Sequence, residues 1–359
     1  MIDSDRLLHL FLDLVRIDSP SGKEDLVAER VRAELAALGI GSERDHAGNV
    51  LSSVPGRGEP ILLNAHLDSV SPCCGIRPVE RDGIVSCDGE TVLGADDKAG
   101  VAVILEVVRA LGPDEGRRPA LELVFTVQEE VGLVGAKALN YSRLRAKRAL
   151  VLDGTGPAGT LWTAAPGQNN LSVAVQGRAA HAGACPEEGI SAIVAASRAI
   201  ARMKLGRIDF ETTANVGTIA GGTARNIVPD SVHLEAEARS HDEGKLVAQT
   251  DHMLSCFEES AAEMGATASV TVIRSYDAFK LTESDPLVQE LVGSARRMGL
   301  EPTLKAGGGG SDCNIFNRNG IRSLVMGVGY ENPHTSSERL VVAEMRKTAE
   351  LLLTFLKER

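Results

Sequence analysis

The chain has 359 residues, of which 43% are hydrophobic and 24% are charged, and its formal net charge is -11. These proportions are ordinary for a globular protein, whereas the acidic charge and the lack of a long basic run argue against nucleic acid and membrane surfaces as partners. No apolar stretch approaches the roughly 20 residues of a membrane span. The acidic, amphipathic N-terminus does not resemble a signal peptide, and six irregularly spaced cysteines are typical of reduced thiols, so we expect a cytoplasmic protein.

The first part of the chain alternates between helical and strand patterns. Apolar periodicity predicts helices over 5–16, 23–38, 97–111 and 131–140, and short β-rich runs predict strands over 61–64, 121–127 and 149–152. The run LELVFTV is apolar throughout, which is typical of a strand buried on both faces of a parallel sheet. Asp97 precedes the long apolar helix, and we expect it to cap that helix.

Near position 167 the pattern changes to alternating apolar and polar residues. The segments NNLSVAVQG, ETTANVGTIAG, SVHLEAEARS and ATASVTVIRS are typical of antiparallel strands with one open face, and helical patterns intervene over 188–204 and 243–264. From about 279 the first pattern returns, with a helix at 285–298, a strand near 303–306, the apolar strand SLVMGVG and a last helix at 338–357.

This order predicts a discontinuous α/β domain with a mostly parallel central sheet flanked by helices. It would comprise residues 1–167 and 279–359, with a smaller α+β domain containing an antiparallel sheet inserted at 168–278. Two sequential domains are the alternative, since a chain of this length exceeds what one core usually serves. That alternative would separate His334 from the other candidate ligands described below, so we rank it lower.

Residue types that bind metals lie at the ends of several apolar runs. They are His66 and Asp68 in LLNAHLDSV, Asp96 in LGADDKAG, Glu129 and Glu130 after LELVFTVQ, Asp153 in ALVLDG, and His334 in GYENPHTSSE. Open parallel sheets bind ligands beyond the carboxyl ends of their strands. Mixed histidine and carboxylate ligands at such positions predict a hydrolytic site with two metal ions.

The spacing within these motifs separates their expected roles. His66 and Asp68 project to one side of a strand, so Asp68 can orient the imidazole. In extended backbone, Glu129 and Glu130 would point in different directions, so that Glu130 binds metal while Glu129 acts as general base. If Asp96 bridges, two histidines and three carboxylates leave one positive charge on two divalent ions, which a bridging hydroxide would neutralise.

These motifs resemble the co-catalytic zinc exopeptidases that include peptidase T, carboxypeptidase G and succinyl-diaminopimelate desuccinylase. The resemblance runs in order over nearly the whole chain and is strongest to the peptidase T-like branch, whose motifs resemble GADDKAG, TVQEEVGLVGA and RSHD. It implies that His66, Asp96 and Asp153 hold one Zn²⁺ and that Asp96, Glu130 and His334 hold the other. Co²⁺ or Mn²⁺ would also suit these ligands.

The same resemblance implies roles for the inserted domain as a lid and dimerisation domain. His181, in GRAAHAGACPEEGISAI, would stabilise the oxyanion, often in the partner's active site, which implies a homodimer. Asn226 with Arg225, Arg239 in EARSHD, and the glycine run containing Gly309 would bind the substrate. Asp153, where carboxypeptidases and deacylases of this family tend to have Glu, resembles the family's aminopeptidases and dipeptidases, so we expect a short peptide substrate.

Two alternatives stay open at this point. One is a deacylase of N-acyl amino acids, or another amidohydrolase, which would use the same metal chemistry with a differently shaped pocket. The other is a non-catalytic binding or regulatory protein whose site has decayed, although every ligand type of the exopeptidases is present.

Overall fold

The structure, a computed structural model, describes residues 1–113 and 118–359. In these residues the α-helices are α1 (Ser4–Val15), α2 (Asp25–Ala37), α3 (Ala95–Leu111), α4 (Val134–Ala138), α5 (Ala192–Arg202), α6 (Glu243–Glu263), α7 (Pro286–Arg297), α8 (Asp312–Arg318) and α9 (Val342–Lys357). The strands are β1 (Glu43–Arg44), β2 (Val50–Val54), β3 (Arg57–His66), β4 (Pro78–Arg81), β5 (Ile84–Cys87), β6 (Pro119–Thr126), β7 (Arg148–Thr155), β8 (Thr160–Ala165), β9 (Gly167–Gln176), β10 (Gly206–Arg207), β11 (Thr212–Gly221), β12 (Ser231–Ser240), β13 (Thr267–Tyr276), β14 (Phe279–Lys280), β15 (Thr303–Ala306), β16 (Arg322–Glu331) and β17 (Arg339–Val341).

The described residues form two compact units. The first unit contains Met1–Ala164, Lys280–Gly307 and Ser311–Arg359, and the second contains Ala165–Phe279 and Gly308–Gly310. The glycine run is therefore divided, with Gly307 in the first unit and the other three glycines in the second. No helix of the described part of the chain is both long and apolar enough to cross a membrane.

The first unit is built on a mixed sheet whose centre is parallel. Its strands lie in the order β1-β2-β6-β3-β7-β16-β17-β5-β4, and the four central strands β6, β3, β7 and β16 run parallel to one another. Residues 60–66 of β3 and all of β6 are buried, as expected for strands covered on both faces. Helix α3 packs against β3 and β7 and also contacts α1 and α9.

The second unit contains a separate sheet in the order β10-β11-β12-β9-β13, in which every pairing is antiparallel. Burial alternates along β12, and the buried side chains join those of α5 and α6 in one core. Val173, Leu234 and Phe257 are among its most buried members. The predicted fold class, a mostly parallel α/β sheet together with an α+β unit containing an antiparallel sheet, is confirmed.

Three predicted helices start clearly later in the structure than expected. The helix expected over 188–204 begins at Ala192, where the side chain of Ser191 accepts a hydrogen bond from the N–H of Val194 and caps it. The helix expected over 131–140 is limited to α4, because Gly132 and Leu133 have positive φ angles of 113° and 59° that a helix cannot contain. The last helix begins at Val342 instead of 338, because the preceding residues form β17 and pair with β5 and β16. Whether residues 339–341 form a strand depends on partners far away in the sequence. The local pattern of apolar residues therefore did not reveal it.

Candidate metal centre

The candidate ligands lie at one edge of the parallel strands. His66 is the last residue of β3 and pairs with Thr126, the last residue of β6. Asp153 lies near the carboxyl end of β7, and His334 lies shortly beyond the end of β16. Adjacent parallel strands end at the same edge of a sheet, so these side chains converge there.

Two groups of three side chains share Asp96. His66, Asp96 and Asp153 form one group and Asp96, Glu130 and His334 form the other, with the ligand atoms of each group within 4.8 Å of one another. The two oxygens of Asp96 face opposite ways, since Oδ1 lies 3.1 Å from Nε2 of His66 and Oδ2 lies 3.2 Å from Nε2 of His334. Nε2 of His334 also lies 3.1 Å from Oε2 of Glu130.

The donor atoms fit divalent cations. Imidazole nitrogens and carboxylate oxygens are the ligands of hydrolytic zinc and related ions. Oε1 of Glu130 is buried and has no hydrogen-bond partner among the described residues. An unpaired, buried carboxylate oxygen is costly unless a cation or proton satisfies it. The arrangement therefore forms a candidate metal-binding cluster.

Glu129 and Glu130 lie in a turn beyond β6, and the prediction that they continue an extended strand is wrong. The strand ends at Thr126, and Gln128 has a positive φ of 53°, so the backbone turns before the two glutamates. Both side chains still reach the centre, because His66, Glu129 and Glu130 also offer ligand atoms within 4.8 Å of one another.

Asp68 fixes this turn. Its Oδ1 and Oδ2 accept hydrogen bonds from the backbone N–H groups of Glu129 and Glu130 at 3.0 and 3.2 Å, and Ser21 donates to Oδ2 at 2.6 Å. Nδ1 of His66 lies 3.1 Å from the backbone oxygen of Asp68 and 3.4 Å from its Oδ1. Burial raises the pKa of Asp68, but its contacts with His66, Ser21 and the backbone outweigh burial and lower the pKa to about 2. A charged Asp68 thus holds both the imidazole and the glutamate turn.

The crowded carboxylates perturb one another's pKa values. Burial raises the pKa of Glu129 well above its usual range and, together with the nearby Asp96 charge, raises that of Asp153 to about 7. Hydrogen bonds to Asp96 and Glu130 raise the pKa of His334 to about 10. Burial opposes protonation of His66, yet its bonds to Asp153, Asp68 and Asp96 raise its pKa well above 6.5. Such shifts are typical of functional sites.

Asp97 caps the regular part of α3, which begins after Asp96 and Asp97 because these two residues have non-helical backbone angles. Its Oδ1 accepts a hydrogen bond from the backbone N–H of Gly100 at 3.2 Å, so the predicted capping role is confirmed. Its Oδ2 accepts from the N–H of His66 at 3.2 Å. One carboxylate therefore connects the start of α3 with the end of β3.

Two residues of the first unit contact the candidate metal centre but were not predicted from the sequence. The Tyr330 hydroxyl donates toward Oδ1 of Asp96 at 3.3 Å and toward Oδ1 of Asp153 at 3.1 Å. Glu338 accepts hydrogen bonds from the loop that carries Asp96. Only their positions in the sequence could have indicated them. Tyr330 follows the apolar run SLVMGVG, and Glu338 ends the segment HTSSE that begins with His334.

The structure places the remaining predicted residues in the second unit. His181 is exposed, and its Nδ1 accepts hydrogen bonds from the N–H groups of Gly183 and Ala184 at 3.1 and 3.0 Å. In the neutral ring the proton therefore resides on Nε2. The backbone oxygen of Asn226 accepts from the N–H of Ala182 at 3.0 Å, so the segments carrying His181 and Asn226 are adjacent.

Of the last predicted residues, Arg239 lies beside the glycine run, which contains Gly309. Arg239 forms a bidentate pair with Glu237 at 3.0 and 2.9 Å, and its Nη1 lies 3.5 Å from the backbone oxygen of Gly308. A Cβ atom on Gly309 would lie 3.7 Å from the same Nη1. Arg225 is exposed.

Residues 62–358 match the model of peptidase family M20/M25/M40. The chain belongs to this family. It is 41% identical to the uncharacterized protein YqjE of Bacillus subtilis over 100% of this chain and 99% of that protein. The M20 peptidases are metal-dependent, so the chain is a metallopeptidase, as the resemblance predicted.

Two solved structures share this architecture over almost their whole lengths. The aminopeptidase PepT from Bacillus cereus is 40% identical, with a TM-score of 0.90 over 99% of each chain. A tripeptidase from Staphylococcus aureus is also 40% identical, with a TM-score of 0.94 over 100% of this chain and 99% of that one. The two alternatives considered from the sequence, a deacylase and a non-catalytic binding protein, are not favoured.

Proposed function

We propose that this M20 peptidase is an exopeptidase that uses two metal ions to remove the N-terminal residue of short peptides. The observation that carries the proposal is the position of Asp96, whose two oxygens each face a histidine of a different three-residue group. The names of the two 40% identical structures, an aminopeptidase and a tripeptidase, support the same substrate class.

His66, Asp96 and Asp153 would hold one ion, and Asp96, Glu130 and His334 would hold the other. The resemblance to zinc exopeptidases supports Zn²⁺ at both positions, and Co²⁺ or Mn²⁺ would suit the same ligands. When bound, such an ion pair lowers the pKa of water and polarises the scissile carbonyl group. The protein's own contribution is to orient the ligands, which Asp68 does for His66.

Glu129 is the proposed general base. It is 8% exposed, it lies in the cluster, and burial raises its pKa well above the usual range. A carboxylate whose pKa is raised toward neutrality accepts a proton from the attacking water more readily and can then pass it to the leaving amine. The backbone bond from Glu129 N–H to Asp68 sets the position of this side chain.

We also propose roles for residues of the second unit. We propose that the Nε2–H of His181 stabilises the oxyanion, since Nδ1 is already occupied by two backbone donors. The proposed substrate-binding residues are Arg225, Asn226, Arg239 and Gly309, among which Arg239 offers a guanidinium group beside the glycine run.

We further propose domain boundaries near 168 and 278, and a homodimer in which His181 serves the partner's site. We also propose a cytoplasmic location, which the six free cysteines support.

The test is a peptide panel on metal-reconstituted protein. Dipeptides and tripeptides with free N-termini would be compared with the same peptides carrying a blocked N-terminus, after chelation and after addition of Zn²⁺, Co²⁺ or Mn²⁺. We expect cleavage only with metal and only of the free peptides, with the N-terminal residue released. Equal cleavage of blocked peptides, or undiminished cleavage after complete chelation, would contradict the proposal.

A further inference from the structure

We infer that Glu338 is a positioning residue that presents Asp96 to the metal pair. Its carboxylate binds three backbone N–H groups in the loop that leads into the first, non-helical residues of α3. Oε2 accepts from Leu93 and Gly94, each at 2.8 Å, and Oε1 accepts from Asp96 at 2.9 Å. This inference rests on the proposed function only in assigning Asp96 as a ligand of both ions.

The loop has the conformation of an anion-binding nest. Gly94 lies in the left-handed region, with φ 70° and ψ 26°, so successive N–H groups point to one side of the chain. A Cβ at this position would also approach Oγ of Ser69 to 3.0 Å, so glycine is favoured for two reasons. The anion that fills this nest is the side chain of Glu338.

Burial makes the interaction strong and costly to lose. Glu338 is 1% exposed and Asp96 is 8% exposed. Hydrogen bonds from backbone N–H groups to a carboxylate are charge-assisted, and removing the acceptor leaves buried donors unpaired. With its backbone N–H held by Glu338, Asp96 directs Oδ1 to His66 and Oδ2 to His334.

Glu338 also connects the segments carrying Asp96 and His334. His334 and Glu338 stand in one loop between β16 and β17, in which the N–H of Glu338 donates to the oxygen of Thr335 at 3.1 Å. His334 itself is 53% exposed and has a positive φ of 64°, so its own packing restrains it weakly. The buried end of this loop is therefore the fixed point from which Asp96 and His334, two of the three residues of the second group, are presented.

The experiment compares metal binding by wild-type protein, Glu338→Gln and Glu122→Gln, with Zn²⁺ titrated into metal-free protein against a competing chelator. Glutamine at 338 keeps the size of the side chain, but its amide nitrogen cannot accept a hydrogen bond from an N–H group. We expect the affinity for Zn²⁺ to fall about 10–100-fold.

Glu122 is the matched control. It is 7% exposed, and its carboxylate accepts backbone N–H bonds from Arg145 and Ala146 at 2.9–3.1 Å, at the opposite edge of the sheet where the chain enters β7. Glu122→Gln should destabilise the fold to a similar extent without changing the affinity for Zn²⁺. Wild-type affinity in Glu338→Gln, or an equal loss in Glu122→Gln, would overturn the inference.

Hydrogen exchange on the wild-type protein gives a readout that does not require the variant to fold. The N–H groups of Leu93, Gly94 and Asp96 should be protected in metal-free protein, because Glu338 binds them before any ion does. Exchange at the rate of an unstructured peptide would overturn the inference. Neither measurement uses peptide cleavage, so a wild-type protein that binds Zn²⁺ but cleaves no peptide would contradict only the proposed function.

Discussion

The hydroxyl group of Tyr330 lies 3.3 Å from Oδ1 of Asp96, at the buried end of the metal centre. The same hydroxyl lies 3.1 Å from Oδ1 of Asp153, and Tyr330 itself is 1% exposed. A hydroxyl has one proton to donate, so it can serve only one of the two carboxylates at a time. In the metal-free protein it is therefore a shared donor between two ligands that repel each other.

Tyr330→Phe should destabilise the metal-free protein more than the metal-loaded protein. Loss of a hydrogen bond to a buried charged group costs about 1.5–3 kcal/mol, whereas bound cations would neutralise the same carboxylates. Urea unfolding with chelator and with saturating Zn²⁺ measures the difference. Tyr141→Phe removes a hydroxyl that donates to the neutral carbonyl of Ala136 at 2.8 Å, and should lower both stabilities alike. Equal losses for Tyr330→Phe in the two states would be inconsistent with this role.

Glu129→Gln should abolish most turnover and leave the metal centre intact. Removing a general base lowers kcat by about 10²–10⁴-fold, and glutamine preserves the shape of the side chain in the turn held by Asp68. The measurements are kcat on a cleaved peptide and the metal content of dialysed protein. Glu344→Gln is a suitable control, since Glu344 accepts a backbone bond from Ala158 and lies outside the cluster. Substantial activity in Glu129→Gln would remove Glu129 from the mechanism.

That the five candidate ligands meet at one place could be predicted from the sequence, because they lie next to local apolar runs. His66 and Asp153 stand at the carboxyl ends of apolar strand patterns. A parallel sheet brings these strand ends to one edge. The turn at Gln128 could not be predicted, since a left-handed glutamine has no sequence signature. Tyr330 and Glu338 were missed for a different reason, because their hydrogen-bond partners lie far away along the chain and depend on the assembled fold.

His334→Ala should halve the metal content. The substitution removes one of the three residues of the group formed by Asp96, Glu130 and His334, while His66, Asp96 and Asp153 keep their positions. We expect about one tightly bound ion per chain in place of about two, because catalytic metal sites in proteins usually need three protein ligands. Metal analysis after dialysis provides the measurement, and His9→Ala, on the exposed side of α1, should keep the wild-type content. An unchanged content in His334→Ala would exclude this histidine as a ligand.

Metal uptake should release protons, and affinity should rise with pH. The pKa of His334 in the metal-free fold is raised from 6.5 to about 10 by its bonds to Asp96 and Glu130. Its ion pairs therefore stabilise the metal-free fold fully below about pH 6.5, and this contribution is lost as the pH rises through about 10. A ligating imidazole must be deprotonated, so an ion that binds at pH 7 displaces this proton.

Calorimetry of Zn²⁺ binding in two buffers with different ionisation enthalpies counts the released protons. We expect at least one proton per chain at pH 7 and a smaller number as the pH approaches 10. His46→Gln, in the exposed turn between β1 and β2, should release as many protons as the wild-type protein. Release that does not decrease toward pH 10 would contradict the assignment of His334.

The proposal that His181 acts in the active site of the partner subunit can be tested by complementation. His181→Ala should lower kcat by about 10²–10³-fold, the usual effect of removing an oxyanion donor, while metal content stays unchanged because His181 lies outside the metal-binding groups. Glu129→Gln should be inactive for a separate reason. If each site combines Glu129 of one subunit with His181 of the partner, a mixed dimer of the two variants contains one intact site.

Mixing the two inactive proteins under conditions that exchange subunits should therefore restore about a quarter of the wild-type activity, because random exchange makes half of the dimers mixed and each mixed dimer has one intact site of two. A double variant carrying both substitutions on one chain, mixed with wild-type protein, provides the control for exchange. If the mixture stays inactive although mass spectrometry detects mixed dimers, His181 serves its own subunit or has no catalytic role. The kcat of His181→Ala alone then separates these two outcomes, since only the first retains the loss of turnover.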